Sequence, residues 1–120
     1  EFMTNQRKVK WVNYPGLESN PSNKTARKQF TRGCGALFTF GLADQKECFD
    51  FIRNLKLVYH LANLGDCKTL VIHPYSSQYV NFDEATRARL SITPDLIRVS
   101  VGIEAIEDIV ADFEQALDEI

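Results

Sequence analysis

Hydrophobic and polar residues follow two different periods along this chain, and each switch between them marks an element. Between Leu96 and Glu104 the period is two: Ile97, Val99, Val101 and Ile103 fall on one face, and Leu96, Arg98, Ser100 and Gly102 on the other. This predicts a strand with one side fit for a core and another offering a guanidinium, a hydroxyl and a gap at glycine. From about Ala105 to Leu117 the period lengthens. Ile106, Ile109, Val110, Phe113, Ala116 and Leu117, led by Ile103, recur at three and four, which predicts a helix with one apolar stripe. Glu104, Glu107 and Asp108 lie near its start, where the helix dipole favours negative charge.

The same two periods organise the upstream chain. Val9–Tyr14 alternates and reads as a short strand, stopped by a Pro15-Gly16 turn. Asn23 is placed to cap a helix from Lys24 to Phe30 or Thr31, broken by Gly33 and Gly35. Ala36–Leu42 is apolar on both sides, with Ala36, Phe38, Phe40 and Leu42 together, and predicts a central strand in which Gly41 marks a close approach. Asp44 can cap a helix over Gln45–Asn54 that aligns Cys48, Phe51, Ile52 and Leu55, with Phe49 beside them. Strands are predicted over Leu57–Leu61 and Lys68–His73, separated by the turn Asn63-Leu64-Gly65-Asp66 and ended by Pro74. Tyr75–Phe82 reads as a polar, aromatic loop suited to a site or a contact. Asp83 can cap a short helix, Glu84–Arg89, and Thr93-Pro94-Asp95 turns into the strand at Leu96.

This order predicts an α/β domain of the α+β type: a mainly antiparallel or mixed sheet of four to five strands, with helices on one face. The connection from Asn63 to Cys67 is short enough for a hairpin. The uncovered face is expected to carry Arg98, Ser100 and His73. Glu1 and Phe2, ahead of Met3, read as a cloning remnant, and residues 1–8 are expected to be disordered or partly helical, leaving 9–120 as the folded domain.

Composition narrows the function classes. The 120 residues make one domain, 44% hydrophobic and 25% charged, large enough for its own core. A net charge of -2 argues against nucleic-acid binding, and no apolar run approaches a membrane span. Cys34, Cys48 and Cys67 are odd in number and lack metal-ligand spacing, which suits a reducing cytoplasm and buried or half-buried thiols. A catalytic cysteine paired with His60 or His73 would have no local signature here. Walker, dinucleotide, HExxH and nucleophile-elbow motifs are absent. Arg98 remains the chemically distinctive residue: its fork suits bidentate binding of a carboxylate, and it could equally be a solvated charge on a half-exposed sheet.

Four blocks together resemble the C-terminal domain of the Cys/Met-metabolism family of pyridoxal-phosphate enzymes, which are of fold type I. They are VNYPGLES (Val12–Ser19), GALFTFGL (Gly35–Leu42), LANLGDCKTLVIHP (Leu61–Pro74) and DLIRVSVGIEAIEDIVADFEQAL (Asp95–Leu117). NLGD followed by KTLVIHP is most similar to the O-acetylhomoserine sulfhydrylase branch, since other branches more often place Ser where Asn63 stands. The resemblance implies a substrate-binding domain in which Arg98 holds the α-carboxylate of the amino-acid substrate, with Asn63 close to the same carboxylate. It implies pyridoxal phosphate as cofactor, a homotetramer at full length, and replacement of the acetate of O-acetylhomoserine by sulfide or a thiol.

The sequence departs from that family in two ways. YSSQY follows His73-Pro74 where the family reads like ASTTH, so Tyr75 replaces a small residue and Tyr79 a histidine; Asn23 also stands where histidine is common. The family's large domain, with its Schiff-base lysine and phosphate-binding residues, has no counterpart here, and no lysine of this chain lies in a Ser-x-Thr-Lys context. The resemblance therefore implies a domain that is inactive alone and forms one wall of an active site. It also implies apolar surface, left by the missing domain, that could drive self-association. The alternatives are a stand-alone, non-catalytic binding module and a small cysteine-dependent hydrolase, the latter requiring a thiol of unusual reactivity.

Overall fold

The strand at Leu96 occupies the middle of the sheet. In the computed structural model, which describes residues 1–120, five strands are ordered β1-β2-β5-β4-β3. They are β1 (Trp11–Asn13), β2 (Leu37–Gly41), β3 (Tyr59–His60), β4 (Leu70–Ile72) and β5 (Leu96–Ser100). The helices are α1 (Asn23–Gln29), α2 (Gln45–Asn54), α3 (Glu84–Arg89) and α4 (Ile106–Asp118). Neighbours β1–β2, β2–β5 and β5–β4 are antiparallel, and β3 joins β4 parallel, so the sheet is mixed as expected.

The core lies between one sheet face and helices α2 and α4. Phe40, Val71, Ile97 and Val99 of the sheet are fully buried against Cys48 and Phe51 of α2 and Phe113 and Ala116 of α4. Phe51 meets Phe40 and Phe113 edge-on, each at 5.5 Å between ring centroids. Each such large side chain contributes roughly 1.5–3 kcal/mol by leaving water. Asp44 caps α2 as expected, accepting from the Glu47 N–H at 2.9 Å. Asp83 caps α3 in the same way through Thr86, at 2.9 Å.

Several expectations are corrected. The chain from Asn63 to Cys67 does not close a hairpin. It arches over the end of β5, where Gly65 N–H donates to Ser100 Oγ at 3.2 Å and Ile103 N–H to Cys67 O at 3.0 Å. That detour brings Leu70 into the sheet running the same way as β3. The strand expected to reach Glu104 ends at Ser100. Glu104 folds back to accept from the N–H and hydroxyl of Thr69, and Gly102 N–H donates to Thr69 Oγ1, so Ile103 leaves the core face and is 84% exposed. The gap at Gly102 is filled by the backbone of Cys67 and Lys68.

His73 lies on the helix-covered face, not the open one. It is two residues from Val71 on the same side of the chain, its ring 5.0 Å edge-on from Phe49 of α2. Asn23 is buried inside α1, where its side chain donates to Pro15 O at 2.9 Å; Ser22 precedes the helix without a side-chain cap bond. For residues 1–8 the observed state is the partly helical one: Met3–Asn5 forms a 3-10 turn and Met3 is buried in the core. Cys48 is buried and Cys34 half-buried, but Cys67 is exposed.

Candidate functional site

Register builds the open face of the sheet. Residues directly paired across strands share a face, so Asn13, Thr39, Arg98 and Ile72 form one row, from β1 to β4. The neighbouring rows are Trp11, Gly41 and Leu96 on one side, and Leu37, Ser100, Leu70 and Tyr59 on the other. Gly41 has no side chain because the Trp11 indole lies across it, with its N–H donating to Asp95 Oδ2 at 2.8 Å. A depression of about 250 Å³ opens on this face over the Trp11–Leu96 side of the sheet, lined by Trp11, Asn13, Thr39, Thr93, Asp95 and others; Arg98 itself does not line it.

Arg98 is half-buried at the centre of the sheet and has no carboxylate partner. Arg27, Arg53 and Arg87 each pair with an acidic side chain, and Arg7, Arg32 and Arg89 are exposed without one; Arg98 is half-buried and forms no ion pair. Its Nη1 donates to Gln78 Oε1 at 3.1 Å, a neutral acceptor. Burial pulls its pKa below the ordinary arginine value, with Tyr79 acting in the opposite direction. A guanidinium remains charged under that pressure. A partly desolvated guanidinium without a counter-ion has donors free to bind an anion.

The arch that carries Asn63 is fastened at Gly65, whose N–H donates to Ser100 Oγ. Its fastening point, Ser100, lies two residues from Arg98, about 6.7 Å along the strand. Asn63 Nδ2 donates to Asp66 Oδ2 at 3.3 Å, and Asp66 Oδ1 accepts from Lys68 N–H at 3.1 Å. The Lys68 amide, with Cys67 and Asn63 adding to it, holds the Asp66 carboxyl below its usual range. Asn63 is thus a turn residue, exposed, on a turn pinned beside Arg98.

Loop 75–82 approaches from the opposite side. Tyr79, where a histidine was expected, packs its ring 5.3 Å from Phe82. Tyr75 lies under the Arg87 guanidinium, 4.3 Å from ring centroid to Cζ, and its hydroxyl donates to Glu84 at 2.7 Å. Gln78 and Thr39 were missed by sequence reasoning. Strand register would have found Thr39, opposite Arg98; no local signal marks Gln78.

A cysteine–histidine pair does not form. Cys48 donates to Asp95 O at 3.1 Å, and burial pushes its thiol up to about 12. His73 Nε2 donates to Pro94 O at 2.7 Å, while Nδ1 bonds Ser76 Oγ at 2.8 Å. An apolar groove of about 550 Å³ bordered by Phe38, Ile109 and Phe113 lies on the helix side, and Arg98 does not line it. No lysine lines either concavity.

The mixed five-stranded sheet with its helices defines an α/β domain, and comparison with known proteins assigns its family. The chain belongs to the Cys/Met metabolism PLP-dependent enzyme family, which matches residues 1–118. It is 45% identical over 121 residues to a homocysteine synthase of Schizosaccharomyces pombe, covering 98% of this chain and 28% of that protein. Identity is 42% over 117 residues to O-acetyl-L-homoserine sulfhydrylase 1 of Thermus thermophilus, covering 97% of this chain and 28% of that protein. A crystal structure from Campylobacter jejuni, described as an O-acetylhomoserine (thiol)-lyase and containing a pyridoxyl-lysine monophosphate, superposes with a TM-score of 0.94 at 33% identity, covering 98% of this chain and 28% of that one. The chain thus spans little more than a quarter of these relatives' length. No helix is long and apolar enough to cross a membrane.

Proposed function

We propose that this chain, with Met3 in its core, is the C-terminal, substrate-carboxylate-binding domain of an O-acetylhomoserine sulfhydrylase-like enzyme. The whole enzyme would replace the acetate of O-acetylhomoserine by sulfide or a thiol at the γ-carbon, in methionine and cysteine biosynthesis in the cytoplasm, as a homotetramer. Arg98 supports this reading: a half-buried guanidinium with no internal counter-ion, on the central strand of a family domain. Its fork would grip the α-carboxylate and orient the substrate, which is positioning and not bond chemistry. Asn63, on the turn fastened to Ser100, would border the same carboxylate.

Pyridoxal phosphate supplies the electron sink in this family, and here it would be held by the remainder of the enzyme. The lysines of this chain are on its surface: Lys8 Nζ donates to Leu117 O, Lys46 pairs with Asp50, and Lys68 lies over the Tyr59 ring. The chain alone is therefore expected to be inactive.

The test is a titration of the 120-residue chain with O-acetyl-L-homoserine, followed by NMR of the arginine side chains, beside Arg98→Gln. Saturable perturbation of Arg98 in the wild type, lost in Arg98→Gln with the fold intact, is expected. Equal responses from both proteins would sink the proposal. Incubation with pyridoxal phosphate and borohydride should yield no single stoichiometric lysine adduct; a clean adduct at one lysine would overturn the assignment of the cofactor to the rest of the enzyme.

A further inference from the structure

Arg98 makes a side-chain hydrogen bond to one residue of its own protein, Gln78, and the loop that carries Gln78 is tied down on both sides of it. Gln78 Oε1 accepts from Arg98 Nη1 at 3.1 Å. The residues on either side of Gln78 are both tied down. Ser77 donates its hydroxyl to His73 O at 2.6 Å and its N–H to Pro74 O at 3.2 Å. Tyr79 donates its N–H to Pro74 O at 3.0 Å, and its own carbonyl accepts from Arg87 Nε at 2.9 Å. Arg87 also donates from Nη2 to Val80 O at 2.8 Å and from Nη1 to Glu84 at 3.0 Å. One guanidinium thereby clamps two successive carbonyls of the loop, and the loop aims Gln78 at another guanidinium.

We propose that Gln78 is a positioning residue for carboxylate recognition: it fixes the plane of the Arg98 guanidinium while leaving its positive charge uncancelled. An amide oxygen accepts a hydrogen bond from Nη1 as a carboxylate would, but brings no counter-charge. The remaining donors of the fork are thus oriented and still charged toward a ligand. A glutamate of the same shape would accept the same hydrogen bond and neutralise the site. Gln78 therefore selects for an anion supplied by the substrate over one supplied by the protein. This inference rests on the reading of Arg98 as the carboxylate binder.

The experiment compares wild type, Gln78→Glu, Gln78→Met and Arg98→Gln by NMR titration with O-acetyl-L-homoserine, thermal midpoints serving as the fold control. Gln78→Glu should weaken binding about tenfold at pH 7, since it places a like charge beside the ligand's carboxylate, with the thermal midpoint unchanged or raised. Its affinity should recover only as the pH falls below the ordinary glutamate value of about 4.3, because the Arg98 guanidinium holds that carboxyl down, while the wild type stays flat. Gln78→Met, which keeps the shape and loses the acceptor, should weaken binding about threefold. A residue that only braced the loop would show neither the pH-dependent recovery nor the opposite signs of stability and affinity. Wild-type binding by Gln78→Glu, with binding lost in Arg98→Gln, overturns this inference and leaves the Arg98 reading standing. No difference between wild type and Arg98→Gln removes both.

Discussion

Glu104 holds Thr69 with both carboxylate oxygens: Oε1 accepts from the backbone N–H at 2.7 Å and Oε2 from the hydroxyl at 2.8 Å. Thr69 in turn accepts from Gly102 N–H at 2.9 Å, so one side chain locks the end of β5 to the start of β4. Burial opposes ionisation of Glu104, but the Thr69 bonds outweigh it and the carboxyl lies below its ordinary value. Glu104→Ala leaves a buried amide without a partner, at a cost of about 1–3 kcal/mol. Amide exchange at Thr69 and Gly102 should accelerate before that of Val99; unchanged exchange would show the lock to be idle.

Asp112 makes a stronger bracket within the helix layer. From α4 its carboxylate accepts from the N–H groups of Lys56, Leu57 and Val58, at 2.8, 2.9 and 2.9 Å. These donors follow α2 directly, so the bracket fixes the entry to β3. Asp112→Ala should lower stability by roughly 3 kcal/mol in urea unfolding, since buried donors lose a charged acceptor. A loss below about 0.5 kcal/mol would mean that water replaces the carboxylate there.

His73 makes stability depend on pH near neutrality. Burial pushes its imidazole below the ordinary histidine value, against the pull of the Pro94 carbonyl and Asp95, while His60 acts in the same sense as burial. The unfolded chain takes up the proton first, near pH 6.5, so the neutral ring stabilises the fold above that pH. That contribution is lost as pH falls through the lower folded value. The thermal midpoint should drop between pH 7.5 and pH 5, more steeply than in His73→Gln. Equal slopes would show that other groups set the dependence.

The three thiols should separate cleanly. Cys67 is exposed and Cys34 half-buried, whereas Cys48 is fully buried with its thiol pushed up to about 12. Two thiols should react with an aromatic disulfide reagent in the native protein, and the third only on unfolding. Three fast thiols would reveal local opening between α2 and β5.

Ile103 and Ile106 are 84% and 59% exposed at the start of α4, with Ile106 bordering the apolar groove. Ile103→Ser should leave the thermal stability within about 0.5 kcal/mol and reduce self-association in sedimentation. A large loss of stability would place Ile103 in the core after all.

What the sequence determined by itself was whatever depends on near neighbours. The two hydrophobic periods located every helix and strand to within a few residues, and Asp44 and Asp83 announced their helices because a cap bond spans only three positions. Arg98 was legible as the charged residue of a polar strand face, and the resemblance of the family blocks carried the proposal for its role. Tertiary structure alone decided the rest. β5 ends at Ser100 because Thr69 and Glu104, far apart in sequence, bond each other. β3 runs parallel to β4 because Gly65 is fastened to Ser100. His73 turned to the helix face with Val71, against Phe49. Gln78 reaches Arg98 only because a loop clamped by Arg87 delivers it there. Contacts of this kind depend on the directions in which loops leave their elements, and no local period encodes those directions.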